Sequence, residues 1–265
     1  MYRTPKKIST ILFDLGTLID RYSLSSLSTL KRTLNLYDLC NISSQEISTD
    51  MGKCKRDHLR QILFKNGATF YSLHNRSPTE SDIDALFRTY VPMQFNTIKQ
   101  NCNILPQTHE TVERLRKSHK IGATSSFPTY ISSAINYELF DRGINLDSIV
   151  ASDEVFNTRP YPSMVYKNMD ILSVKTPRDI VKISNTVEGI LEGLNAGCWT
   201  IGVSKYSSLL GIHSLCEEAS MDEDKMRERI TFASNKLKRT GAHAVVENLN
   251  DIDNIIDTFN TKLNL

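Results

Sequence analysis

An aspartate at the end of an apolar run is the first residue of this chain that could support chemistry. Asp14 follows Ile11, Leu12 and Phe13, and a Gly-Thr pair comes soon after it. A carboxylate at the tip of a buried strand is costly to desolvate unless its charge is used or paired. One interpretation is a nucleophile that attacks phosphorus, and the other is a strand-end aspartate that caps a turn. This segment alone does not choose between them.

A second group of reactive side chains lies a short way further along. Its cations and its histidine fall within one or two helical turns, at Lys53, Lys55, Arg56, His58 and Arg60. A lysine among other cations has a lowered pKa, and a partly neutral lysine can form a Schiff base with a carbonyl compound. The alternative is a solvated basic face, which is the commoner meaning of such a cluster.

The elements that would position these residues alternate along the chain. Short, nearly continuous apolar runs predict buried strands of a parallel sheet at residues 8–13, 121–124, 148–151, 180–184, 200–203 and 244–246. Amphipathic stretches predict helices at residues 110–117, 130–140, 163–172 and 187–196. Gly189, Gly193 and Gly197 recur every four residues, which predicts a helix face that lies close against the sheet. The alternation predicts an α/β fold with a doubly wound parallel sheet.

The stretch from residue 21 to 98 breaks this alternation. It shows helical patterns at residues 24–34, 55–64 and 80–98, with a break expected at Pro92, and no clear strand. We therefore predict a small helical cap domain at residues 21–98, inserted into a core domain of residues 1–20 and 99–265. Ligands of open α/β sheets bind beyond the carboxyl ends of the strands, so a cap after the first strand would cover Asp14.

Composition and charge exclude several classes of function. The 265 residues carry 32 basic and 30 acidic side chains, and the net charge of +2 predicts no direct nucleic-acid recognition. The five cysteines are widely spaced without a C-x-x-C pair, which favours a reducing, intracellular compartment, either the cytoplasm or the mitochondrial matrix. The first apolar run is too short for a membrane span, so we expect no membrane association.

Three further segments resemble one known family, the haloacid dehalogenase superfamily in its phosphonoacetaldehyde hydrolase branch. Residues 51–60 are similar to its M-G-x-x-K-x-D-H-x-R signature, residues 159–168 to R-P-x-P-x-M-x-Y-K-N, and residues 195–203 to N-A-G-M-W-T-V-G-V. Residues 241–246 look like the family's closing segment. The resemblance covers nearly the whole chain and implies a Rossmann-like α/β core with an inserted cap.

The resemblance also implies a role for each matching residue. Lys55 would form an imine with phosphonoacetaldehyde, Asp14 would accept the phosphoryl group, and His58 would assist in proton transfer. Magnesium would neutralise the charge between them, held by Asp14, by the residue matching Asn185 and by the backbone carbonyl two residues after Asp14. The implied substrate-binding residues, between core and cap, are Thr17, Met51, Ser125, Ser126 and Arg159.

The segments that bind magnesium in that family depart from its pattern here. The first motif, D-x-[DA]-G-T, reads D-L-G-T from Asp14 and is one residue short, and such a deletion reverses the direction of the side chains that follow. The fourth motif, G-D-T-x-x-D, reads S-N-T-V-E-G, which puts Asn185 and Gly189 where two carboxylates would be. Glu188 points about 100° further round a helix and is a poor substitute. The sequence predicts a degenerate metal site at Asp14 and Asn185 that holds no ion.

The second motif departs as well. The family clamps the phosphoryl group with a Thr-Gly pair, and this chain has Ser125 and Ser126 there, followed by Phe127 in place of a common tyrosine. Ser125 keeps a hydroxyl that can donate a hydrogen bond. Ser126 is unfavourable if the position requires a positive φ or a close backbone approach.

Two functions follow from these observations. The favoured hypothesis is a catalytically impaired pseudoenzyme that serves as a binding or structural subunit, for example in a mitochondrial or ribosomal assembly, with no cofactor expected. The alternative is an active phosphonoacetaldehyde hydrolase that cleaves a C–P bond through a Lys55 imine and the Asp14 nucleophile, with Mg²⁺. Protein partners, a small phosphoryl or phosphonate ligand and a homodimer are left open by the sequence.

Overall fold

A parallel sheet with helices on its faces forms the core of the chain in a computed structural model. The structure describes residues 7–19, 26–212 and 215–264. The strands are β1 (Thr10–Asp14), β2 (Lys120–Thr124), β3 (Ser148–Val150), β4 (Ile180–Ser184), β5 (Trp199–Val203) and β6 (Ala244–Val246). Their order in the sheet is β3-β2-β1-β4-β5-β6, and all neighbours are parallel. The predicted six strands and doubly wound sheet are confirmed.

The register of the central strands brings their carboxyl ends to one edge. Asp14 at the end of β1 lies beside Thr124 at the end of β2. On its other side β1 pairs with β4, with Phe13 opposite Ile183, so that Ser184 is the next residue of β4 at this edge. Every residue of β1 and β4 is buried, as the apolar runs predict for strands covered on both faces.

Five helices lie in the described part of the insertion after β1. They are α1 (Ser26–Asn35), α2 (Ser44–Ser48), α3 (Lys55–Lys65), α4 (Gly67–His74) and α5 (Glu80–Asn101). The predicted domain boundary between residues 20 and 21, and the start of the helix predicted at residue 24, lie outside the described residues. The other predicted boundary, between residues 98 and 99, falls inside α5.

The break predicted at Pro92 is wrong. Helix α5 runs through Pro92 without interruption from Glu80 to Asn101. Proline removes one backbone hydrogen bond from a helix. Because α5 packs against α1 and α3 of the cap and against the core, the burial of its apolar face outweighs that loss.

The remaining helices belong to the core. They are α6 (Thr108–Arg116), α7 (Thr129–Asp141), α8 (Ser163–Ile171), α9 (Val187–Ala196), α10 (Leu215–Ala219), α11 (Glu223–Arg239) and α12 (Ile252–Leu263). Helix α9 begins after Thr186, whose hydroxyl accepts from the Gly189 N–H at 3.1 Å, and ends at Gly197, whose φ of 83° is the left-handed conformation typical of a helix end. This helix starts directly after β4 and so lies next to Asp14.

The cap is packed onto the core. One cluster of buried apolar side chains includes Phe13 of β1, Leu59 of α3 and Ile131 of α7. Polar contacts add to it, because the Lys55 N–H donates to the Ser126 carbonyl at 3.1 Å. In the part of the chain that the structure describes, no helix has the length and apolar character that a membrane span requires.

Candidate active site between core and cap

A cavity of about 120 Å³ lies where the carboxyl edge of the sheet meets the cap. Seven residues predicted from the sequence line it: Asp14, Met51, Lys55, Ser125, Ser126, Arg159 and Asn185. Two predicted residues do not line it, namely Thr17 and His58. The structure therefore brings the predicted nucleophile and the predicted imine lysine into one cavity.

The shortened first motif keeps Asp14 at the end of β1. Leu15 to Thr17 form a single 3₁₀ turn directly after β1. The shorter motif therefore shortens the turn and leaves the strand intact. The Thr17 hydroxyl donates to the Asp14 backbone carbonyl at 2.7 Å, which turns it away from the cavity. The Gly16 N–H lies 3.4 Å from Asp14 Oδ1, a long contact that leaves this oxygen the less occupied of the two.

The other carboxylate oxygen of Asp14 is surrounded by donors. Asp14 Oδ2 accepts from Arg159 Nη1 at 2.8 Å, from Ser184 Oγ at 3.1 Å and from Thr186 Oγ1 at 3.4 Å. Burial alone would raise the pKa of Asp14, but the nearby charges of Arg159 and Lys182 outweigh it and the pKa lies below its usual value. Asp14 is therefore ionised and paired.

Behind Asp14 lies a fully buried ionic network that sequence reasoning missed. Glu192 Oε2 accepts from Arg159 Nε at 3.0 Å and from Thr124 Oγ1 at 2.9 Å, and it lies 3.3 Å from Lys182 Nζ. Arg159 Nη2 also donates to Thr124 Oγ1 at 2.8 Å. The signal in the sequence was Lys182 itself, a charge in the middle of an apolar strand, which requires a buried partner. The network commits the charges of Arg159 and Lys182 to Asp14 and Glu192.

Lys55 lies on the cap side of the cavity with few partners. Its side chain is 3% exposed, Nζ lies 3.7 Å from Met51 Sδ, and Nζ is 5.2 Å from the centre of the Phe127 ring. Among the described residues it has no carboxylate within ion-pair distance. Burial lowers the pKa of Lys55 to about 8, although the charge of Asp14 acts in the opposite direction. Such an amine is a competent nucleophile toward a carbonyl compound near neutral pH.

His58 is placed away from the cavity, in the interior of the cap. It is fully buried, and Nε2 lies 2.8 Å from the Ile47 carbonyl, so Nε2 carries the proton and donates. Burial, together with the charge of Lys55, lowers the pKa of His58 to about 3. The ring is neutral at physiological pH and fixes the Ile47 backbone. The proton-transfer role implied by resemblance stays a prediction that this geometry does not support.

The serines of the second motif are both at the cavity. Ser125 Oγ accepts from the Phe127 N–H at 3.1 Å and from Ser132 Oγ at 2.8 Å, and its own proton is free to reorient. Ser126 has a negative φ, so a side chain at this position causes no backbone strain. The first of the two conditions that would make Ser126 unfavourable, a positive φ, is therefore absent, and the second, a close backbone approach, stays a prediction.

The residues around Asp14 do not fit magnesium. Asn185 Nδ2 donates to the Gly16 carbonyl at 3.2 Å and to the Tyr206 carbonyl at 3.0 Å. Because both acceptors are carbonyls, the nitrogen end of the amide must face them. Magnesium requires oxygen ligands, usually with one or two carboxylates, and here the side chain of Asn185 presents an N–H group to the Gly16 carbonyl. In the described part of the chain no group of three or more His, Cys, Asp or Glu side chains could hold a metal.

Comparisons with known proteins agree with this fold. The haloacid dehalogenase-like hydrolase family matches residues 11–203. A phosphonoacetaldehyde hydrolase of Nitratidesulfovibrio vulgaris is 30% identical over 94% of this chain and 89% of its own length. A bifunctional phosphonoacetaldehyde hydrolase/aminoethylphosphonate transaminase of Clostridioides difficile is 31% identical over 95% of this chain, which spans 40% of that protein. Among solved structures, a phosphonoacetaldehyde hydrolase-like protein from Oleispira antarctica superposes with a TM-score of 0.91 at 24% identity, over 99% of this chain and 98% of the other.

Proposed function

Since the chain belongs to the haloacid dehalogenase-like hydrolase family, we propose that it binds phosphonoacetaldehyde or a close analogue as an imine on Lys55 and that its cleavage of the C–P bond is strongly impaired. One observation carries the proposal. Lys55 Nζ is a desolvated amine without a carboxylate partner among the described residues, and it lines the same cavity as Asp14.

Capture of the aldehyde needs only the neutral amine. The Lys55 nitrogen attacks the carbonyl carbon, the carbonyl oxygen leaves as water, and a carbon–nitrogen double bond links the ligand to the protein. With a pKa of about 8, roughly a tenth of Lys55 is neutral at pH 7. An exposed lysine with an ordinary pKa is neutral in fewer than about one molecule in a thousand at this pH.

Cleavage of the C–P bond also requires positive charge at the core side of the cavity, and little is available there. Attack by the Asp14 carboxylate on a phosphonate brings two anions together and requires positive charge between them. The guanidinium of Arg159 is already bonded to Asp14, Glu192 and Thr124. Hydrolases of this family generally use Mg²⁺, whose Lewis-acid contribution of several kcal/mol corresponds to roughly a thousandfold in rate.

An active phosphonoacetaldehyde hydrolase is the second candidate, and a specific observation favours it. Asp14 Oδ1 has one long contact with the Gly16 N–H at 3.4 Å, so this oxygen could reach phosphorus. The electron pair of the broken C–P bond would pass into the imine to give an enamine, and water would later release phosphate from Asp14. The name of the Nitratidesulfovibrio vulgaris relative gives this candidate further support.

Reductive trapping tests the proposal directly. The protein is incubated with phosphonoacetaldehyde, reduced with sodium borohydride and mapped by peptide mass spectrometry. We expect one adduct, on Lys55, that is absent in Lys55→Met. Lys53→Met is the matched control, because Lys53 is a nearby lysine whose ammonium is held by Asp50 at 2.7 Å. An adduct that persists in Lys55→Met, or no adduct in the parent protein, contradicts the proposal.

A second assay separates the two candidates. Acetaldehyde and phosphate are measured after incubation with phosphonoacetaldehyde and Mg²⁺, for the parent protein and for Asp14→Asn. The proposal expects equally low release from both, whereas release that depends on Asp14 establishes the second candidate. A role as a binding or structural subunit of a larger assembly is compatible with impaired cleavage, and it stays a prediction.

A further inference from the structure

Ser184 and Gly189 form a complementary pair beside Asp14. A Cβ atom placed on Gly189 would lie 2.1 Å from Ser184 Oγ and 2.9 Å from Asp14 Oδ2. The Ser184 hydroxyl therefore stands where the side chain of any other residue at position 189 would begin. The same hydroxyl donates to Asp14 Oδ2 at 3.1 Å. The Ser184 hydroxyl can occupy this position because Gly189 has no side chain.

Asn185 lines the same cavity as Asp14 and joins two loops beside it. It is buried, and its Nδ2 joins two loops, the turn after β1 through the Gly16 carbonyl and the loop after β5 through the Tyr206 carbonyl. The backbone carbonyl of Asn185 accepts from Ser207 Oγ in the same loop. The amide thus supplies two N–H donors that a carboxylate at this position could not supply.

The remaining acidic group of this segment does not turn toward Asp14. Glu188 lies against the cap, where a Cβ on Gly52 would be 3.1 Å from Glu188 Oε2. Burial raises the pKa of Glu188, which weakens it further as a cation ligand. Among the described residues that line the cavity, Asp14 is therefore the single carboxylate.

We infer that the hydrogen-bond donors of Ser184, Asn185 and Arg159 take the place of a divalent cation at Asp14, so that the site is complete without metal. This inference concerns the cation position and goes beyond the proposed capture of an aldehyde by Lys55. Each donor has a defined acceptor, which is Asp14 Oδ2 for Ser184 and Arg159, and the Gly16 carbonyl for Asn185.

The charge of the buried groups agrees with this inference. The Asp14 carboxylate pairs with the Arg159 guanidinium, which also bonds Glu192, and Glu192 lies within ion-pair distance of Lys182. A divalent cation added beside Asp14 would bring two further positive charges into a buried region that already holds a guanidinium at 2.8 Å.

Cation titrations of the intact protein test the inference without any activity assay. The thermal unfolding midpoint is measured with Mg²⁺ and with Mn²⁺, at an ionic strength kept constant with KCl, for the parent protein and for Asn185→Asp. We expect no shift for the parent protein. Asn185→Asp replaces the donating amide with a carboxylate near Asp14 and Gly16, and we expect a midpoint that rises by roughly 5 °C at a hundredfold excess over the dissociation constant.

Each outcome decides the matter. A metal-dependent rise in the parent protein that Asp14→Asn removes overturns the inference. A folded Asn185→Asp variant whose unfolding midpoint changes with neither cation also overturns the inference, because the amide would then not occupy a cation position. If Asn185→Asp does not fold, the triple variant Ser184→Gly, Asn185→Asp, Gly189→Asp serves the same comparison, since it frees the space at position 189. Trapping at Lys55 is recorded separately with EDTA and with Mg²⁺, so a failure of aldehyde capture leaves the cation result intact.

Discussion

Two of the charged side chains that line the cavity, Asp14 from the core and Lys55 from the cap, are partnered in opposite ways. Asp14 receives a guanidinium and two hydroxyls on one oxygen. Lys55 has a thioether and an aromatic ring near its ammonium, and no carboxylate among the described residues. The core half of the site is electrostatically satisfied without a ligand, whereas the cap half is not.

This difference indicates where reactivity resides. A carboxylate that is ionised and hydrogen-bonded is a stabilised, weak nucleophile, and moving its partners away requires free energy. A desolvated amine is stabilised when it loses its proton or forms a neutral imine, because burial penalises its charged form. The comparison predicts chemistry at Lys55 and rigidity at Asp14, and each half can be tested by changing one group.

The largest expected effect comes from the carboxylate that holds the core network together. Glu192→Ala leaves Arg159 and Lys182 buried without one of their two counter-charges, and we expect a loss of roughly 3–5 kcal/mol in the free energy of unfolding. Urea denaturation measures it. The matched control is Glu80→Ala in the cap, where an exposed carboxylate also pairs with two arginines, and we expect a far smaller change there. Equal losses in the two variants would remove the contrast between core and cap.

The next effect concerns Lys55 and depends on pH. Its pKa is about 8 in the folded protein and 10.5 when exposed, so between these values the unfolded chain binds a proton that the folded protein has lost. Stability attributable to Lys55 therefore rises with pH across this interval, by roughly 3 kcal/mol in total. The measurement is the difference in unfolding free energy between the parent protein and Lys55→Met from pH 7 to 10.5. A difference that does not change with pH would mean that Lys55 is not desolvated.

A smaller effect tests the fit of Ser184 against Gly189. Gly189→Ala places a methyl group 2.1 Å from Ser184 Oγ, and we expect a loss of about 1–3 kcal/mol from overpacking. Adding Ser184→Gly removes the clashing hydroxyl and should recover part of this loss, which a double-mutant cycle in urea measures. Gly67→Ala is the control, since no atom beyond its chain neighbours and its own helix backbone lies within 4 Å of the added methyl there. Additive effects at the two positions would show that the pair is not complementary.

Much of the fold was predictable because each strand carries its own apolar signal. Residues 180–184 were predicted as a strand despite Lys182, and the structure has β4 at Ile180–Ser184. The glycine repeat in α9 correctly predicted a close approach to the sheet, and a Cβ on Gly193 would lie 2.8 Å from Lys182 Cγ. What the repeat could not reveal is that Glu192, beside this glycine, is the partner of Lys182, since pairing across elements requires the packed geometry.

The candidate site was predictable where a residue acts through its position on an element. Asp14 at a strand end and Lys55 at the start of α3 both line the cavity. His58, three residues after Lys55, lies close to the same helical face, yet its ring turns to the Ile47 carbonyl. Spacing along a helix gives the face of a residue but not the acceptor that its side chain finds. The break expected at Pro92 failed for a related reason, because packing overrode local preference.

The smallest expected effect links the two halves of the site. The charge of Asp14 favours the protonated form of Lys55, so Asp14→Asn should lower the pKa of Lys55 below its present value of about 8. The rate of borohydride trapping, measured from pH 6 to 9, should then reach half its maximum at a lower pH than in the parent protein, and trapping at pH 7 should be faster. Asp253→Asn is the control, because that carboxylate pairs with Arg114 and should leave the profile unchanged. An unchanged midpoint would mean that Asp14 and Lys55 do not interact through their charges, and that the cap half of the cavity acts independently of the core half.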